Sequence, residues 1–148
     1  MTLVDIARVR RWQHDECLAD MYRLIWGSKE MKYLHTMVRV GDLDASIRFY
    51  RDGLGLELLS VRPYPQGRYT LAYLAAPGDA AAQVELTHNW DEKEYARGRN
   101  FGHIAYAVDN IYAACERLQK HGALISRPPR DGWMAFACSL DGILIELL

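Results

Sequence analysis

Two stretches of this chain carry the same pattern of apolar and polar positions. From His35 the sequence reads HTMVRVGDLDASIRFYRDGLG, and from His103 it reads HIAYAVDNIYAACERLQKHG. Each begins with a short segment of alternating apolar residues, which predicts a strand. Each segment stops at Asp42 or Asn110, a residue type whose side chain accepts hydrogen bonds from the free N–H groups of a helix start. Apolar positions then recur at helical spacing: Leu43, Ile47 and Tyr50 in the first copy, Ile111, Cys115 and Leu118 in the second. Glycine closes each helix, Gly53 or Gly55 in one and Gly122 in the other, where a left-handed backbone costs least.

Three strand-like runs follow each helix. In the first half they cover 56–62, 68–76 and 82–89; in the second, 123–127, 133–138 and 143–148. Turn residues separate them: Pro63, Pro65 and Gly67, then Pro77, Gly78 and Asp79, and later Pro128, Pro129, Asp131 and Gly132, then Asp141 and Gly142. The pattern predicts an α+β protein of two tandem βαβββ modules, 31–90 and 100–148, forming curved mixed sheets. The polar segment WDEKEYARGRN joins them. Residues 1–30 stand apart from the duplication. There Leu18, Met21, Tyr22 and Ile25 fall at helical spacing behind a possible cap at Asp15, which predicts a helical N-terminal extension.

The duplication also repeats a chemistry. Each half has a histidine at its first strand and a glutamate in its last: His35 with Glu85, and His103 with Glu146. A lone strand histidine is more often a hydrogen-bonded core residue than a ligand. A buried carboxylate, however, is costly unless paired or coordinated, and here the pair occurs twice at equivalent places. In VELTHN, alternation puts Val84, Leu86 and His88 on one face and Glu85, Thr87 and Asn89 on the other. In ILIELL, Glu146 shares its face with Leu144 and Leu148. A curved sheet is expected to gather the inward-facing members in one cleft. Two imidazoles and two carboxylates suit a borderline divalent ion such as Zn²⁺, Ni²⁺ or Co²⁺; from spacing alone, a purely structural role stays open. His14, His88 and His121 lack the repeat relation and are expected at the surface or in support of the site.

Bulk properties narrow the partners. The formal net charge is −1 and half the residues are hydrophobic. No basic block points to nucleic acid, and no apolar run is long enough to span a membrane. The N-terminus, with Asp5, Arg8, Arg10 and Arg11, does not read as a secretory signal. Cys17, Cys115 and Cys138 form no CxxC pair and are expected to be reduced thiols of a cytoplasmic protein, the last two inert in the core.

The segments LHTMVRVGDLDASIRFYRDGLGLELL, VELTHNW, FGHIAYAVDNI and SLDGILIELL closely resemble the lactoylglutathione lyase (glyoxalase I) family of the vicinal oxygen chelate superfamily, in its short bacterial form. The resemblance runs from Met31 to Leu148. It implies a homodimer with metal sites at the interface, ligated by His35, Glu85, His103 and Glu146, with nickel or cobalt favoured and zinc possible. It implies Arg39, Asn89 and Arg99 as glutathione-binding residues. Its reaction is isomerisation of the methylglyoxal–glutathione hemithioacetal to S-lactoylglutathione, with Glu146 as the favoured base and Glu85 its near-symmetric counterpart. The chain departs from the family where Leu140 replaces a proline, Ile143 a tyrosine, and the turn SRPPRDGWM is short, which leaves the identity of the thiol open. Trp133, Met134 and Phe136 could line a pocket for the substrate methyl group, or simply pack the core. Rivals on the same scaffold are an epimerase, a dioxygenase using two histidines and one carboxylate, and a drug-binding or thiol-transfer resistance protein.

Overall fold

A computed structural model describes residues 33–96, 98, 101–130 and 132–148. The expected helical extension over 1–30 lies outside the described residues, as does Arg99.

The first module runs β1 (His35–Arg39), α1 (Leu43–Arg48), a π-helical turn (Phe49–Leu54), β2 (Glu57–Tyr64), β3 (Tyr69–Ala75) and β4 (Gln83–Asn89). The second runs β5 (Ile104–Tyr106), α2 (Ile111–Lys120), β6 (Leu124–Arg127), β7 (Ala135–Cys138) and β8 (Leu144–Leu147). Their sheets have the same order, β1-β4-β3-β2 and β5-β8-β7-β6. In each the first strand lies parallel to the last, and the other pairings are antiparallel. The sequence repeat is therefore a repeat of topology.

Both predicted caps form. The Asp42 carboxylate accepts from the Ala45 amide at 2.9 Å, and the Asn110 side chain from the Ala113 amide at 3.0 Å. Gly55, not Gly53, ends the first helical segment, with φ +94. The helix has widened to a π-helical turn by then, which moves its end beyond Gly53. Gly53 instead lies close against His121, where an added Cβ would come 3.1 Å from the His121 Cβ.

Strand ends shift by one or two residues from expectation, and one shift crosses a proline. β2 continues through Pro63 to Tyr64, opposite Thr70 and Tyr69. It is an edge strand, where a residue lacking an N–H is tolerated.

The modules share one core. Val38, Val40, Leu74, Val84 and Leu86 from the first belong to the same apolar cluster as Leu118, Ile145 and Leu147 from the second. The modules are also tied by polar contacts. Asp141, in the β7–β8 turn, accepts from the Gly41 amide at 2.9 Å and from the Ser46 hydroxyl at 3.1 Å. Arg117 on α2 donates to the Gly53 carbonyl at 2.8 Å. Cys115 is buried as expected, but Cys138 is only half-buried. Alternation along β7 puts Ala135 and Ala137 in the core, which turns Cys138 to the other face beside Phe136.

Candidate metal centre

The period of two along each strand decides where the candidate ligands go. Val84 and Leu86 enter the core, so Glu85 emerges on the opposite face of the sheet. Ile145 and Leu147 enter the core, so Glu146 emerges likewise. The parallel pairing then sets each histidine. Glu85 lies across from Met37, two residues after His35. Glu146 lies across from Ala105, two residues after His103. The imidazole leans along the strand onto its glutamate in both cases: His35 Nε2 is 3.3 Å from Glu85 Oε2, and His103 Nε2 is 3.0 Å from Glu146 Oε2. Both carboxylates are largely covered, with side-chain exposures of 11% and 13%, and the imidazoles are more open at 35% and 41%.

The single chain brings each pair together but does not join the two pairs. Among the described residues, no group of three or more His, Cys, Asp or Glu side chains lies close enough to hold a metal ion. Within the single chain the two His–Glu pairs therefore stand apart. The reason is the shared core: each glutamate projects from its own sheet on the face turned away from that core, and among the described residues no strand ladder connects the sheets.

The surroundings of the two pairs are parallel except for their hydroxyls. Across the antiparallel ladder from Glu85 stands Tyr73, and across from Glu146 stands Phe136. Each aromatic ring meets its histidine edge-on, His35–Tyr73 at 5.8 Å and His103–Phe136 at 5.6 Å between centroids. The Tyr73 hydroxyl donates to Glu85 Oε2 at 2.5 Å, and the Thr87 hydroxyl donates to Glu85 Oε1 at 3.0 Å. The hydrogen bond to Glu85, aided by burial, pushes the Tyr73 phenol up to about 12. The sequence pattern put Thr87 on the Glu85 face without giving it a role, and did not single out Tyr73. Thr87 shares the Glu85 face by simple alternation, whereas Tyr73 meets Glu85 only through a strand register that composition does not reveal.

Arg39 shares the open face of β1 with His35 and Met37. It lines a cavity of about 560 Å³ together with Met37, Tyr95, Phe101 and Leu144. Among the described residues, the Tyr95 hydroxyl there has no hydrogen-bond partner. Asn89 ends β4, and its amide donates to Glu92 Oε2 at 3.2 Å. His88 points the other way, its Nδ1 3.1 Å from the Val40 carbonyl, so it braces the backbone away from the pairs. Trp133 is 80% exposed, outside the core, and Phe136 lies against His103.

Known proteins give this geometry a context. The family described as the Glyoxalase/Bleomycin resistance protein/Dioxygenase superfamily matches residues 32–147. A lactoylglutathione lyase of Haemophilus influenzae is 46% identical over 124 residues, covering 80% of this chain and 92% of that protein. One from Neisseria meningitidis serogroup A is 44% identical, covering 80% and 90%. In structure, the chain is similar to a trypanothione-dependent glyoxalase I of Leishmania major, with TM-score 0.74, 38% identity, and 80% and 86% coverage. With nearly the whole of the duplicated unit matched, the chain belongs to the lactoylglutathione lyase family of the glyoxalase/bleomycin resistance protein/dioxygenase superfamily.

Proposed function

We propose that this chain is a metal-dependent lactoylglutathione lyase, converting the hemithioacetal of methylglyoxal and glutathione to S-lactoylglutathione. The observation that carries this is the twice-built His–Glu pair, placed by identical register on the open faces of two sheets. The names of the relatives supply the substrate class.

The donor set fits a divalent ion. Each half-site offers an imidazole Nε2 and a carboxylate oxygen that already approach one another, on a face shielded from bulk water but not closed. His35, Glu85, His103 and Glu146 would hold the ion, with nickel or cobalt favoured and zinc possible for such a mixed set. When bound, the ion supplies Lewis acidity that stabilises negative charge developing on neighbouring substrate oxygens. Because one chain holds two separate half-sites, a complete set requires a second copy, and we place the centre at a homodimer interface. The open faces support this: Met37, Leu124 and Leu148 are large apolar residues exposed there at 41%, 69% and 51%.

The chain's own groups divide the remaining work. Glu146 takes the proton from C1 of the hemithioacetal and returns it to C2. One carbon is thereby oxidised as its neighbour is reduced, so no redox cofactor takes part. Arg39, in the wall of the cavity, is suited to a glutathione carboxylate through charge-assisted hydrogen bonds. Arg99 is assigned the same task and Asn89 a polar contact. A cytoplasmic location matches the abundance of glutathione there and the free thiols of Cys115 and Cys138; no helix among the described residues is long and apolar enough to cross a membrane.

The test is thioester absorbance from methylglyoxal plus glutathione, with nickel and then zinc supplied. Formation of thioester supports the assignment. No product with glutathione but product with a different thiol, such as trypanothione, keeps the chemistry and reassigns the carrier. No product with any thiol overturns it.

A further inference from the structure

The two half-sites match in strand register, in histidine placement and in edge-on aromatic contact, yet differ in two hydroxyl groups. Around Glu85 these are Tyr73, across the ladder, and Thr87, two residues further along the same strand. Around Glu146 the same two places hold Phe136, across the ladder, and Leu148, two residues further along. Neither can donate a hydrogen bond. Both oxygens of Glu85 are therefore held by hydroxyls, whereas among the described residues Glu146 keeps only its contact with His103.

A carboxylate that shuttles a proton between two carbons must swing from one to the other. A carboxylate fastened at both oxygens cannot do so without breaking two hydrogen bonds. A near-symmetric site offers two glutamates for one task, and this difference breaks the tie. Building on the activity assigned above, we propose that Tyr73 and Thr87 are positioning residues that fix Glu85 as a permanent metal ligand, leaving Glu146 as the mobile proton carrier. The duplicated modules thus hold unequal duties through two hydroxyls, with strand order and register kept.

The substitutions are close to isosteric, and Phe136 shows that the fold accepts a phenyl ring at this register. In Tyr73→Phe/Thr87→Val protein, nickel affinity measured by competition with a chelator should weaken by about tenfold, the usual effect of removing the groups that orient a ligand. Glu146→Gln alone should be nearly inactive. Adding Tyr73→Phe/Thr87→Val to it releases Glu85, so at saturating nickel the triple variant should turn over at least about tenfold faster than Glu146→Gln. Conversely, Phe136→Tyr should tether Glu146 and lower kcat without raising KM or weakening nickel binding. Unchanged nickel affinity in the double variant overturns the proposal, as does a nickel-saturated triple variant no faster than Glu146→Gln. Wild-type protein that binds nickel but forms no thioester with any thiol sinks the assigned activity instead. The affinity comparison still judges the tether in that case.

Discussion

Tyr73 and Phe136 occupy one structural position twice. Each faces a glutamate across the antiparallel ladder and meets a histidine edge-on, and only Tyr73 reaches its glutamate with a hydroxyl. The pair shows how a duplicated module can keep its geometry while its chemistry diverges. The same logic allows the rest of the site to be tested one group at a time.

Glu146→Gln should lower kcat by at least about a hundredfold, the lower range for losing a general base. The substitution preserves shape and can still hydrogen-bond His103, so thermal unfolding should stay within a few degrees of wild type. Turnover near the wild-type value assigns the base elsewhere.

Prolonged chelation should abolish activity, and added nickel or cobalt should restore it. The paired His–Glu sites also predict that His35→Ala and His103→Ala each lower metal content, since each removes one ligand from the set. Full activity in protein shown by elemental analysis to be metal-free contradicts a Lewis-acid role.

Arg39→Ala should act mainly on substrate binding. A hydrogen bond to a charged group contributes about 1.5–3 kcal/mol, so KM for the hemithioacetal should rise by about tenfold or more, with kcat changed less. A kcat loss at constant KM places Arg39 closer to the reacting carbons than its position in the cavity wall suggests.

Asp141→Ala should destabilise the protein by about 2 kcal/mol, because it orphans the Gly41 amide and the Ser46 hydroxyl at the junction of the modules. Denaturant unfolding measures this directly. Gly41 offers no relief by substitution, since an added Cβ would fall 2.1 Å from the Lys93 carbonyl oxygen.

Burial pushes the Tyr106 phenol up to about 12 from an ordinary value near 10. Below about pH 10 the group is protonated in both folded and unfolded chains and adds no pH dependence. Between about 10 and 12 the unfolded chain loses the proton first, so stability falls as pH rises. Tyr106→Phe should flatten this decline and remove one late step from the tyrosinate absorbance titration. Loss of amplitude from the main step near pH 10 instead shows that Tyr106 ionises with the exposed tyrosines.

Much of the fold is written in local patterns. The caps at Asp42 and Asn110, the helical spacing behind them, and the alternation that sends Glu85 and Glu146 away from the core all depend on neighbours within a few residues. The π-helical turn before Gly55 and the passage of β2 through Pro63 do not, because each follows from how the segment packs against the rest.

By itself, then, the sequence determined the duplication, the βαβββ order of each half and the four candidate ligands, since repeats and strand alternation are properties of the chain alone. Only the tertiary structure decided which side chains meet. Register is a relation between strands far apart in sequence, and it alone placed Tyr73 on Glu85 and Phe136 beside Glu146. The shared core likewise turned the two pairs onto separate sheet faces, so within one chain they stand apart.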